Sequence, residues 1–251
     1  RLQPRWENFA LALASMSGRS IDTAESPVAG AALPVEQQAG FAHFLFNTLV
    51  ICVLSVVGAV ISNSIIAYGF ACLRWRGRDA FFALTLATMM IPFPVLMVPL
   101  FAVFKSLGLI GTLAPLWLPT FFGNAFFIFL MRQFFRTIPS DIAEAARIDG
   151  CSEWAIFWRI ILPLSRPVLA VTALFQFLWA WNDFIGPLLF LTRRPLFTLS
   201  LALQQYQTQH GGMAWHLLVA ATLVTVLPLA LLFVLTQRTF VQGIATTGVK
   251  G

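Results

Sequence analysis

Charge is scarce in this sequence. Lys, Arg, Asp and Glu make up 10% of its 251 residues, where a soluble domain carries about a quarter, so there are too few to coat a water-facing surface. The 16 Lys+Arg and 10 Asp+Glu leave a net charge of +6, yet no basic run exceeds two residues. Scattered between apolar blocks, this positive charge fits membrane topology and removes nucleic acid as the partner that would explain it. Cysteine is also rare. Cys52, Cys72 and Cys151 have no paired spacing and give neither a disulfide nor a metal site, and the first two read as small buried hydrophobes. His210 and His216 lack a third ligand at a sensible spacing. No GxxxxGK[ST] phosphate loop occurs, so ATP is not held here in that manner. No Ser-His-Asp set or paired-carboxylate set is present either, and the chain is expected to be non-catalytic. The sequence begins at Arg1, not at Met, and shows no cleavable signal pattern, which leaves room for a segment upstream.

What is present is apolar. Hydrophobic residues reach 59%, with 25 Phe and eight Trp, and the mean hydropathy is +0.82. A membrane protein is the direct reading. Residues 1–43 are mixed, and 17–40 are polar, small and Pro-containing, as in an external loop or short surface helices. Beyond them, uncharged or nearly uncharged blocks predict five spans at about 44–73, 81–104, 113–133, 167–190 and 213–236. Each meets the ~20 helical residues, at about 1.5 Å apiece, that cross an apolar layer of roughly 30 Å. Barrel strands would alternate in polarity, and LLVAATLV (217–224) and FFIFLM (126–131) do not. A polytopic all-α bundle follows, because helices satisfy their own backbone in lipid. Pro92, Pro94, Pro99, Pro115 and Pro119 predict kinks or late helix starts inside it.

Loop charge orients the bundle. With residues 1–43 outside, the inner segments carry Arg74, Arg76, Arg78, Arg132, Arg136, Arg147, Arg159, Arg166, Arg238 and Lys250. The outer ones carry only Arg1, Arg5, Arg19, Lys105, Arg193 and Arg194. This bias places residues 136–163 and the C-terminus in the cytoplasm, although Arg193 and Arg194 lie close to a span on the outer side.

Within that inner loop, EAARIDGCSEWAIFWRIILP (144–163) crowds charge, an abrupt glycine and a closing Leu-Pro between apolar flanks. Pro139 sets a helix start, Ser140 is placed to cap it, and Asp141 suits the first turn. Ala143 stands where a reciprocal capping box would need an acid. Ala143, Ala145 and Ala146 favour helix and leave little bulk at the surface. Gly150 permits a sharp change of direction. Trp154, Phe157, Trp158 and Ile161 then recur at helical spacing on one apolar side, until Pro163 ends the run before Pro167 opens the next span. The prediction is a short helix, a turn and an amphipathic helix at the inner membrane face, the first offered to a partner and the second anchored on the bundle. An ordinary interfacial amphipathic loop has the same periodicity, so periodicity by itself does not choose between them.

The spacing of Glu144, Ala145, Ala146, Gly150, Ile160, Leu162 and Pro163 resembles the EAA loop of the permease subunits of binding-protein-dependent ABC importers. Most of the chain is similar to the carbohydrate branch of that family. Asn47-Thr48, the run IPFPVLMVPLFAVFKSLG (91–108), Trp181-Asn182-Asp183 with Pro187, and the end from Gln237 to Gly251 carry the likeness. The resemblance implies a cytoplasmic coupling loop that docks into a cleft of an ATP-hydrolysing subunit. It implies ATP and Mg on a dimer of those partner subunits, with no cofactor in this chain. A second, different permease, an external substrate-binding protein and a sugar or related polyol complete the expected assembly in the cell membrane, and a non-sugar solute is the alternative cargo. Relatives of this kind have one span more than the five counted, so a first span upstream of Arg1 is expected.

On this reading Glu144, Ala145, Ala146, Arg147, Asp149, Gly150, Ile160, Leu162 and Pro163 couple to the ATPase. Glu144 would pair with a basic residue there. Asn63, Trp179, Asn182 and Asp183 are the candidates for the translocation path or gate. An acid within a span is costly, so Asp183 faces a wet interior, a gate, or a neighbouring helix near the outer boundary. Trp179 and Trp181 could stack on sugar rings or sit at the interface as Trp commonly does. Asn63, Ser62, Gly58 and Gly69 fit close helix packing as well as substrate contact. Gln204, Tyr206, Gln207, Gln209 and His210 form a polar external stretch, either a binding-protein contact or a solvated linker. A secondary transporter would need inverted repeats or mid-span ionisable groups, and a membrane-bound enzyme would need clustered His, Cys or acids. The sequence has neither pattern.

Overall fold

The computed structural model of the protein describes residues 6–16, 40–208 and 215–245. The polar segment 17–40, apart from Gly40, lies outside the described residues, as do Gln209, His210 and the Gly248–Gly251 end. Among the described residues every regular element is helical.

Helix α1 (Glu7–Met16) falls within the segment expected to be external. Its Ala12 is buried in a cluster with Phe44, Trp181, Leu199 and Ala220. Helix α2 (Phe41–Ala71) is the axis of the fold. Its 31 residues contain no charge, and at about 1.5 Å each they exceed the hydrocarbon thickness. One flank is small and polar, and it is buried at Asn47, Thr48, Ser55, Gly58, Ser62 and Asn63. A Cβ on Gly58 would lie 2.5 Å from Thr120 Oγ1 and from the Phe121 ring, so glycine is what permits the neighbouring backbone to approach.

Residues 81–104, expected as one span, form two helices. Helices α3 (Arg78–Thr88) and α4 (Phe93–Ser106) meet at 98°. Pro92 stands at the break with extended backbone, and the residue before a proline is itself driven from helical conformation. Helix α5 (Ala114–Trp117) continues through a 3₁₀ turn to Phe122, and the chain swings at Gly123 with φ +92°. Asn124 then caps α6 (Ala125–Phe135), its side chain accepting from the N–H groups of Phe126 and Phe127. Ala114–Phe135 together is long and apolar enough to cross a membrane, as is α2.

Helix α7 (Ser140–Ile148) follows, then α8 (Glu153–Ile156), a π turn over Phe157–Ile161 and α9 (Leu162–Leu164). A 78° bend leads into α10 (Arg166–Asn182), where Pro163 and Pro167 flank the joint. The span expected over 167–190 is interrupted after Asn182, and α11 (Ile185–Phe190) completes it. Helices α12 (Leu199–Thr208) and α13 (Trp215–Ala245) end the described chain, with an apolar stretch at Leu218–Val234.

The two ends of α2 meet different loops. Near its start, Asn47 donates to the carbonyls of Pro195 and Phe197 at 2.8 and 3.1 Å, and Thr48 Oγ1 accepts from the Leu199 N–H. Near its other end, Ala67 and Tyr68 join Met131, Phe135, Ala143, Ala146, Ile156, Phe157 and Ile161 in a second cluster. Arg193 and Arg194 are therefore at the opposite end of α2 from residues 140–164. The arginine-rich turn 74–79 is at the same end as those residues, where Asp79 pairs with Arg78 at 3.3 Å and Arg132 at 3.5 Å.

Candidate functional site

Residues 136–165 fold as a projection seated on the ends of α2 and α6. Helix α7 begins at Ser140 itself, and Ser140 Oγ turns to Asp141 at 3.4 Å, so the expected serine cap is replaced by Pro139 in the capping position. Proline there loses nothing, since the first N–H groups of a helix have no intrahelical partner. Asp141 offsets the dipole at the start and Arg147 does so at the end. The helix stops through a paired hydrogen bond: Cys151 N–H donates to Ala146 C=O at 2.9 Å, and Gly150 N–H to Arg147 C=O at 3.0 Å. This Schellman closure requires a left-handed residue, and Gly150 supplies it at φ +83°. Ser152 then caps α8 by accepting from the Ala155 N–H.

The faces of α7 are divided cleanly. Ala143 and Ala146 are buried against the apolar cluster, and only a side chain as small as alanine lets the helix lie that close. Glu144, Ala145, Arg147, Asp149 and Gly150 are exposed. Ile142 and Ile148 are exposed as well, Ile148 to 86%. An isoleucine so bare, among charges at the tip of a projection, is available for a partner to cover. The expected single apolar side of the following helix is split by the structure. Phe157 and Ile161 are buried, and Trp154 and Trp158 face outward at 61% and 51% exposure.

A π turn follows Trp154. Pro163 has no N–H, and in a regular helix its ring would press on the carbonyl four residues back, at Arg159. The chain widens instead, with Leu162 N–H donating to Phe157 C=O five residues earlier. Ile160 and Leu162 are partly buried against the cluster, and Pro163 is exposed at the bend.

Charge holds the elbow. Arg147 Nε donates to Glu153 Oε1 at 2.6 Å and Nη2 to Oε2 at 3.3 Å, so the guanidinium on α7 grips the carboxylate on α8 across Gly150. Tyr68 Oη, on α2, donates to the same Glu153 Oε2 at 2.5 Å. The Arg147 hydrogen bond holds the Glu153 carboxyl below the usual carboxylate range, and the same bond raises Arg147. Neither Tyr68 nor Glu153 is marked by spacing in the sequence. Tyr68 hides in an uncharged span, and the available signal was the opposite charge of Arg147 and Glu153 on the two sides of Gly150.

The four residues considered for the translocation path are not brought together with this projection. Asn63 is fully buried: its Oδ1 accepts from the Asn124 N–H at 2.6 Å and its Nδ2 donates to Ala59 C=O. It ties α2 to the start of α6. Trp179 is half exposed and packs on Phe127 and Phe126 at centroid distances of 4.9 and 5.7 Å. Trp181, also considered for stacking, is buried beneath Phe177. Asn182 is exposed, its Nδ2 on Leu178 C=O. Asp183 ends α10, where its Oδ1 accepts from the Gly186 N–H at 3.0 Å and its carbonyl accepts from Ser200 Oγ. It thereby caps the turn into α11. No cluster of three or more metal-ligating side chains occurs among the described residues.

Comparisons with known proteins converge on one kind of molecule. Residues 63–246 match the family model described as binding-protein-dependent transport system inner membrane component. The arabinooligosaccharides transport system permease protein AraQ of Halalkalibacterium halodurans is 38% identical over 205 residues, which are 82% of this chain and 73% of AraQ. The osmoprotective compounds uptake permease protein GgtD of Synechocystis is 34% identical over 221 residues, or 86% and 73% of the two chains. A chain of the crystal structure of a bacterial ABC transporter involved in the import of the acidic polysaccharide alginate superposes with a TM-score of 0.71 at 26% identity, covering 79% of this chain and 74% of that one.

Proposed function

This chain belongs to the family of binding-protein-dependent transport system inner membrane components, and on that premise we propose that residues 140–163 couple its helices to ATP hydrolysis on a partner subunit. The chain is the permease-type, multi-pass membrane component of an ABC importer of the carbohydrate and polyol class, itself non-catalytic and without a cofactor of its own. Such importers combine a permease pair, an ATPase dimer and a substrate-binding protein. We assign the ATP and Mg to the dimer, and the partnering permease to a different chain of related fold.

The coupling role is carried by one observation. Helix α7 seats Ala143 and Ala146 inward and turns Glu144, Ala145 and Ile148 to solvent, at an elbow that only Gly150 makes without strain. A rigid projection with a bare apolar tip and flanking charge fits a cleft on a soluble neighbour. When that neighbour closes on ATP, the push enters α2 and α6 through the apolar cluster beneath α7. Trp179, Asn182 and Asp183, on or next to the exposed side of α10's end, are our assignments for the pathway. Asn63 contributes through the position it fixes for α6.

The test is uptake by the reconstituted complex, with labelled sugars and polyols presented in a panel together with the binding protein. ATP-dependent accumulation of a member of that panel is the expected result. Accumulation that persists without the ATPase subunits would overturn the assignment, and accumulation of a non-carbohydrate solute alone would move the cargo class. Glu144→Arg should leave subunit assembly detectable and reduce uptake by about ten-fold, the effect of losing one charge-assisted contact worth roughly 1.5 kcal/mol.

A further inference from the structure

The elbow glycine stands in open space: a Cβ at Gly150 would find no heavy atom within 4 Å. Nothing packs on that side of the turn. On the other side, Ala143 and Ala146 share a buried cluster with Ile156, and Glu153 accepts from Arg147 through both carboxylate oxygens. The same carboxylate receives the Tyr68 hydroxyl. Through that bond α2 meets the projection in a directed, charge-assisted contact. Apolar contacts surround it, such as Tyr68 against Phe157 at a centroid distance of 5.2 Å. Apolar contacts transmit a push, but burial is non-directional and fixes lateral position less tightly than a directed bond does. A charge-assisted hydrogen bond has a direction and a length, and resists both separation and sliding.

We propose that Tyr68, Glu153 and Arg147 form a latch that makes the projection and the inner end of α2 move as one body, so that these three are positioning residues for the transport cycle. The latch rests on the coupling role proposed above and adds to it the route by which displacement of α7 reaches a span. Motion of α7 alone carries Arg147, Arg147 carries Glu153, and Glu153 pulls Tyr68 along α2. Without the hydroxyl, the projection slips over the end of α2. ATP is then hydrolysed with less substrate moved.

The reconstituted importer, with its ATPase dimer and binding protein, tests this with uptake and ATP hydrolysis measured in the same vesicles. Tyr68→Phe removes one O–H and keeps the ring on Phe157. It should lower substrate moved per ATP by about five-fold or more while hydrolysis stays within about two-fold, the scale of one lost hydrogen bond to a charged group. Glu153→Gln keeps an acceptor for Tyr68 but loses the ion pair, and should give a smaller drop in the same ratio. If Tyr68→Phe does not assemble, Glu153→Gln and Arg147→Lys carry the measurement, and an unchanged ratio in both overturns the latch. An unchanged ratio in an assembled Tyr68→Phe complex also overturns it. So does a parallel fall of uptake and hydrolysis, since that marks a merely structural bond. A disulfide trap between Ile148→Cys and the ATPase subunit, made with Cys151→Ser and the latch residues intact, separates the two readings: its absence defeats the coupling role itself, and its presence with an unchanged ratio defeats only the latch.

Discussion

Replacing Gly150 probes the elbow with a magnitude that the structure defines. At φ +83° an L-residue is in left-handed backbone, which costs roughly 1–2 kcal/mol for alanine. No packing term enters, because the space around a Cβ at this position is empty. Gly150→Ala should therefore shift the elbow toward an opened form by about 5- to 30-fold, at 1.4 kcal/mol per factor of ten. The two closing hydrogen bonds of α7, to Ala146 and Arg147, would loosen with it. Asparagine enters the left-handed region more readily, so Gly150→Asn should retain more activity than Gly150→Ala. Gly150→Trp pays the backbone strain and also places a large ring beside Ile148 at the docking tip, and it should be the weakest of the three. The assay is ATP-driven uptake in vesicles, alongside a pull-down that quantifies assembly with the ATPase. Expected is an order of uptake Gly150 > Asn > Ala > Trp at comparable subunit expression. Normal transport by Gly150→Trp, or Asn and Ala behaving alike, would refute the elbow's role.

Three further outcomes follow from the geometry. Gly58→Leu should reduce the amount of folded permease recovered in detergent, since even a Cβ there meets Thr120 and Phe121 at 2.5 Å and overpacking costs about 1–3 kcal/mol; unchanged thermal stability of the purified complex would count against the close contact between α2 and the 118–122 turn. Asn63→Ala leaves the Asn124 N–H without its acceptor and should destabilise by about 1–3 kcal/mol, read as a lower unfolding midpoint, and Asn63→Asp should not recover the loss, because its acceptor comes with an acid buried in the span and a missing donor to Ala59 C=O. Because the folded Glu153 carboxyl lies below its unfolded value near 4.3, the clasp with Arg147 contributes fully above that value and is lost only as pH falls through the depressed one. ATP-coupled uptake should thus show no Glu153-dependent change between about pH 5.5 and 8, and a wild-type-specific loss in that window, absent from Glu153→Gln, would contradict the pairing.

Much of this architecture is written in composition. The scarcity of charge and the uncharged run of α2 define a membrane helix without reference to any partner. The EAA spacing marks the projection, and Gly150 marks its turn. What periodicity missed depends on local backbone energetics and on contacts distant in the chain. Residues 81–104 have the hydropathy of one span, but Pro92 and Pro94 turn them through 98°. Trp154 and Trp158 share helical spacing with Phe157 and Ile161, yet only Phe157 and Ile161 face the buried cluster, and the π turn near Pro163 widens the helix between Phe157 and Ile161. Asn63 reads as a polar group in a span and is consumed by a backbone N–H that is 61 residues away. Tyr68 was silent because its partner, Glu153, is 85 residues later and no local pattern joins them.

The docking of α7 can be tested directly by chemistry at its tip. With the native exposed Cys151 replaced by serine, Ile148→Cys offers a single reactive group on the bare end of the projection. In the assembled importer this cysteine should cross-link to the ATPase subunit and be shielded there from a membrane-impermeant thiol reagent, but become reactive from the cytoplasmic side once the ATPase is stripped. Modification from the external side of sealed cells, or equal reactivity with and without the ATPase bound, would contradict the account.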